Sequence, residues 1–211
     1  MEITVRETIE KNYAKQLLRG SEEKGLRDSI ENKIESEFGE KPKDFMVAVV
    51  TSAENYFSTD IAILDYLVNK RGMKGTYVAL NKPYHTLVKI LQNSNIDTDK
   101  LFFIDAISGN LSQDAGIANC VFLRDPSAIS ELGMTVLNVC DEKKADFLLL
   151  DSLSTMIIYN DRLDSVRFTH YLITQLRKYG LAGVIMSLED YKKPESIKDI
   201  SMFVDKVIHL K

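Results

Sequence analysis

From Phe45 onward the chain alternates short, unbroken apolar runs rich in β-branched residues with longer amphipathic stretches, and this alternation leaves few folds open to it. A run with no polar residue on either face must be buried on both, which is the condition of strands in a parallel sheet covered by helices on its two sides. The runs fall at 46–51, 76–80, 101–105, 120–124, 147–151, 183–187 and 203–210, and the amphipathic stretches at 59–71, 85–93, 127–140, 164–179 and 196–201. Parallel strands joined through helices cross over with one hand, so helices are expected on both faces of an α/β sandwich. Local punctuation agrees: Asp125-Pro126-Ser127 reads as a helix entry and Tyr179-Gly180 as an exit.

Residues 1–40 follow another rule. They are dense in charge and place apolar residues at helical spacing, with Ile9, Ala14, Leu17 and Leu18 ahead of Gly20, then Leu26, Ile30, Ile34 and Phe38 ahead of Gly39. Each stripe is narrow, and a short helix with a narrow stripe does not stay folded alone in water. The pair is therefore expected to cover a surface of the α/β domain or of a second copy. Lys41-Pro42-Lys43 marks the boundary, dividing the chain into a helical N-terminal extension, 1–41, and an α/β domain, 42–211.

Charge and rare residues narrow the function classes. Across 211 residues, 27 Lys and Arg stand against 31 Asp and Glu, a formal charge of −4. That mild acidity exerts no general pull on nucleic acid, which is not expected as a partner. No stretch approaches the ~18 uninterrupted apolar residues of a membrane span, and residues 1–20 alternate charges with single apolar residues, so a cytoplasmic location without membrane contact is expected. Cys120 and Cys140 lack CxxC spacing and nearby His, which makes them buried free thiols rather than zinc ligands. His85, His170 and His209 sit on separate elements. Ser152 and Ser154 follow a strand without the G-x-S-x-G setting of a hydrolase nucleophile. Lys192-Lys193-Pro194 is a short charged turn.

Ligands of an open parallel sheet bind at the carboxyl ends of its strands. After the first run comes Ser52-Ala53-Glu54-Asn55-Tyr56-Phe57-Ser58-Thr59 and then a helix, the length and position of a phosphate-binding loop, G-x-x-x-x-G-K-[ST]. Ser52 and Phe57 stand at the glycines and Ser58 at the lysine, while Thr59 matches. Further on, Phe103-Ile104-Asp105-Ala106-Ile107-Ser108, Ala145-Asp146-Phe147-Leu148-Leu149-Leu150-Asp151-Ser152, the helix from Arg167 to Gly180, and Ile200-Ser201-Met202-Phe203-Val204-Asp205-Lys206-Val207-Ile208 follow in order. Together these segments resemble the RecA superfamily, in particular its KaiC-like branch of signal-transduction ATPases, over about 45–211. The resemblance implies a RecA-like, P-loop-type parallel sheet. It also implies Asp151 as the Walker B position, which binds magnesium mainly through water, with Thr59 as the direct ligand.

The departures from that pattern point away from catalysis. Glycines let a loop's N–H groups turn toward phosphates and the lysine neutralises them; here Phe57 brings bulk and Glu54 brings an anion. After the second run, where the branch carries paired glutamates that activate water, the chain has Asn81-Lys82, and neither is a general base at neutral pH. Lys82 could instead reach a phosphate and restore the charge missing at Ser58. Without the clamp, Asp151 is expected to serve as a structural acceptor for neighbouring backbone N–H groups. The expected function is thus a non-catalytic, pseudo-ATPase module acting in protein interaction or signalling regulation, with no cofactor, no metal and no catalytic residue. Its partner would be another protein or a second copy. The alternative is a nucleotide-binding regulator that holds ATP and Mg with little hydrolysis, using Ser52, Ser58, Thr59 and Lys82 as vestigial phosphate-binding residues. On the loop alignment alone, Ser52→Gly, Phe57→Gly and Ser58→Lys together are expected to restore ATP binding without hydrolysis.

Overall fold

The computed structural model describes residues 22–39, 44–109, 117–189 and 195–210. The first expected helix, the 41–43 boundary and the turn at 192–194 lie outside them. Seven strands form one parallel sheet: β1 (Met46–Thr51), β2 (Gly75–Ala79), β3 (Leu101–Asp105), β4 (Cys120–Phe122), β5 (Phe147–Asp151), β6 (Ala182–Leu188) and β7 (Lys206–Leu210). Their order is β4-β3-β2-β5-β6-β1-β7. The helices are α1 (Glu22–Phe38), α2 (Tyr56–Leu64), α3 (Tyr84–Asn93), α4 (Ile129–Lys143), α5 (Leu153–Tyr159), α6 (Arg162–Lys178) and α7 (Glu195–Ile200).

The sheet divides the core in two. Val47, Val49, Tyr77, Phe103, Phe147 and Leu149 point to the face covered by α1, α2 and α3. Ala48, Val78, Ile104, Leu148 and Leu150 point to the face covered by α4 to α7. The side chain of Asp151 meets the α2 face, in register with Ala79 of β2, so the residues entering α2 are the ones that can reach it.

The expected stripe of α1 is buried at Ile30, Ile34 and Phe38, while the side chain of Leu26 lies outside the described residues, and the helix packs chiefly on α2 of the same chain. Phe38 meets the rings of Phe45 and Tyr66 edge-on, Lys33 donates to the carbonyl of His209 and Lys206 pairs with Glu37. Three elements differ from expectation. The helix foreseen from 59 already begins at Tyr56 and ends in a wider turn, Asp65–Lys70, closed by Arg71 N–H on the Tyr66 carbonyl. The last strand starts at Lys206, because the residues just before it form turns. Helix α5 has no counterpart among the expected helices: it has only seven residues, its first turn carries Ser154 and Thr155, and it follows β5 directly through the cap by Ser152, whose side chain accepts from Thr155 N–H. Cys120 and Cys140 are buried and free, and His170 stacks on Phe203 with ring centroids 3.8 Å apart.

Candidate functional site

The chain leaves β1 at Thr51 and turns tightly, Asn55 N–H bonding back to the Ser52 carbonyl at 3.2 Å and to its Oγ at 3.3 Å. Only four residues separate β1 from α2. The turn swings Tyr56, the first residue of α2, inward until it is 1% exposed. Its ring spans the carboxyl edge of the sheet, and its hydroxyl donates to Asp151 Oδ1 at the end of β5.

Asp151 is wholly buried and surrounded by side-chain donors. Besides Tyr56, Oδ1 accepts from the amide of Asn81, and Oδ2 accepts from the hydroxyl of Tyr77 at 2.6 Å. Asn81 is held in that orientation because Thr155 Oγ1 donates to its carbonyl oxygen. Tyr77 also lies 2.9 Å from Oδ2 of Asp60, one turn into α2. A hydroxyl has one proton, so with Tyr77 donating to Asp151 the second contact needs a proton on Asp60. Burial, reinforced by the negative charge of Asp151, supplies the reason: it pushes the Asp60 carboxyl up to about 7, although Lys82 and Tyr77 act the other way. Burial next to Asp151 likewise raises Tyr56 well above the ordinary phenol value, so it remains a donor.

Lys82 completes the cluster. It is 7% exposed, with its Nζ 4.0 Å from Asp151 Oδ2 and 5.7 Å from the centroid of the Tyr56 ring. The peptide bond between Asp151 and Ser152 is cis.

Of the residues singled out by sequence, the structure brings together Asp151, Asn81 and Lys82. Thr59 is buried nearby but turns its hydroxyl to Thr51, 3.1 Å away. Ser52 closes the turn, and Ser58 is half-buried in the first turn of α2. Two expectations need correction. Asp151 is a structural acceptor, but of hydroxyl and amide side chains; the carboxylate that collects backbone N–H groups is Asp105, from Tyr84, Ile107 and Ser108. The bulk that fills the edge belongs to Tyr56, while Phe57 is only half-buried and packs on the apolar cluster of the α2 face. Tyr56, Tyr77 and Asp60 carried no motif signal; a Tyr in a variable position of a loop frame shows its role only when the turn places it.

A divalent ion shared by Thr59 and Asp151 does not fit these residues as they stand. The threonine hydroxyl is engaged by Thr51, and both oxygens of Asp151 already hold protein donors.

A parallel sheet in this strand order, with a loop and helix after β1 and an aspartate ending β5, is a RecA-like module. Residues 61–211 match the family described as "ATPase: KaiC", and the chain belongs to that nucleotide-binding family. The matched span begins just past the 52–59 loop. A KaiC-like protein from the hyperthermophilic archaeon Pyrococcus horikoshii OT3 shares the fold, with a TM-score of 0.60 and 13% identity over 82% of this chain and 74% of that one. No curated protein matches. No helix among the described residues is long and apolar enough to cross a membrane.

Proposed function

We propose that this chain is a KaiC-like module that does not hydrolyse ATP and acts in the cytoplasm through contacts with another protein or a second copy, in signalling regulation. One observation carries the reading: the Tyr56 hydroxyl occupies Asp151, the residue on which the family's metal chemistry depends, and buries it. Phosphoryl transfer relies on positioning and on positive charge around the phosphates. The loop offers neither a lysine at Ser58 nor glycines at Ser52 and Phe57, so we read it as a degenerate phosphate loop. The amide of Asn81 stands where a water-activating carboxylate would be needed, and it is spent on Asp151.

The test is a steady-state phosphate-release assay with ATP and magnesium, paired with thermal melts. No turnover above a contaminant-free background is expected, and nucleotide should leave the melting temperature unchanged. A bound ligand at ~100 times its Kd would add about 2.7 kcal/mol, an easily read upward shift. Turnover that disappears in Asp151→Ala would sink the proposal.

A further inference from the structure

Two acidic side chains lie together in the core at this site. Asp60 and Asp151 are at most 1% exposed and are bridged by the single hydroxyl of Tyr77. Carboxyl groups crowded away from water need a cation or a shared proton, since each buried ion carries a desolvation penalty of several kcal/mol. The chain brings its own cation: Lys82 enters from the end of β2, sits 4.0 Å from Asp151, and its charge acts on Asp60 as well. One oxygen of the cluster, Asp60 Oδ1, has no hydrogen-bond partner although it is buried. The cluster thus combines hard oxygen ligands, one of them unsatisfied, with a positive charge already in place.

We propose that Lys82 is a tethered substitute for a divalent cation: its ammonium balances the Asp60–Asp151 pair, and removing it turns the pair into a site for a hard divalent ion such as Mn²⁺. The proposal rests on the closed-pocket reading, in which Lys82, packed between Asp151 and the Tyr56 ring, holds the place beside the pair that an ion would take. An ammonium satisfies charge through N–H donation but has no open coordination position with which to polarise a phosphoryl oxygen. Lys82 therefore keeps the electrostatic balance of a metal site and gives up its chemistry, and the fold becomes independent of magnesium.

The test uses the full chain without nucleotide: wild type, Asp151→Asn, Lys82→Met, Lys82→Gln and Lys82→Met/Asp151→Asn, each followed by electron paramagnetic resonance of free Mn²⁺ and by melting in EDTA or in Mn²⁺. Wild type is expected to take up no Mn²⁺ and to melt at the same temperature in both. The two single variants are expected to bind one Mn²⁺ per chain and to melt several degrees higher with it, and the double variant to lose the binding. Lys82→Met that folds only when Mn²⁺ is supplied also supports the proposal. It is overturned by Mn²⁺ uptake in wild type that Asp151→Asn abolishes, by single variants that fold yet bind none, by binding that survives in the double variant, or by single variants that stay unfolded with and without Mn²⁺. Because this measurement contains no nucleotide, ATP turnover by wild type in the separate release assay counts against the non-hydrolysing reading alone, and Mn²⁺ uptake by wild type, in the absence of turnover, counts against this proposal alone.

Discussion

Asp60 is the residue whose protonation the fold has shifted furthest into the physiological range, to about 7 by burial and by its neighbour Asp151. In the unfolded chain it titrates as an ordinary carboxyl, near 4. Between those two values the folded state holds one proton more than the unfolded state, so stability falls as pH rises, by up to about 1.4 kcal/mol per unit, and levels off above about 7. Asp60→Asn cannot titrate and should flatten this slope, which urea titrations of both proteins at pH 5, 6, 7 and 8 would read; parallel slopes would show that Asp60 is ionised throughout. Tyr56→Phe keeps the ring and removes only the donor to Asp151. A hydrogen bond to a buried charge is worth roughly 1.5–3 kcal/mol, and the lost stability should be of that size by chemical denaturation. From the sequence, Asn81 and Lys82 were legible as departures from a catalytic pattern, yet not as partners of Asp151. A linear pattern marks what is missing at a position; it does not show which new contact the substituted side chain makes.

At the level of elements, the short apolar runs gave β1, β3 and β5 to the residue and the remaining strands within a few positions, because the strands at the centre of the sheet are buried on both faces and stand out from their charged flanks, while β7, with Lys206 and His209 exposed, does not. The helix ends were less legible. The entry of α2 at Tyr56 depends on the turn at Ser52, and the short α5 depends on a cap by Ser152 directly after β5. Close packing between elements depends on glycine at two strand positions. A Cβ on Gly75 would lie 2.1 Å from Cζ of the Phe147 ring, and one on Gly183 2.6 Å from Sδ of Met46. The ring is fully buried and rigid, whereas the thioether can swing to another rotamer. Gly75→Ala should therefore cost roughly 1–3 kcal/mol or more as an overpacking change and Gly183→Ala distinctly less, measured as shifts in urea midpoint. Equal shifts would mean that the sheet itself moves to accommodate both.

For the whole molecule, the seal over the sheet edge changes what a repair of the loop can achieve. With Tyr56 in place, Ser52→Gly, Phe57→Gly and Ser58→Lys together are now expected to gain little ATP affinity. Adding Tyr56→Gly to the three should open the edge and produce a measurable gain by calorimetry, still without turnover. A gain in the triple variant equal to that in the quadruple would show that the tyrosine leaves the pocket freely.

The sheet order also governs how the chain reaches its final form. Strand β1, the first of the sheet in sequence, is sandwiched between β6 and β7, the last two, with Val47 opposite Val184 on one side and Lys206 on the other. During synthesis its apolar residues emerge long before either neighbour exists. Loop closure over such a separation must precede the pairing that rewards it, and topologies of this kind fold slowly and leave sticky intermediates. On the ribosome, β1 is thus a strand in waiting, and the stretch most in need of a chaperone until β6 arrives.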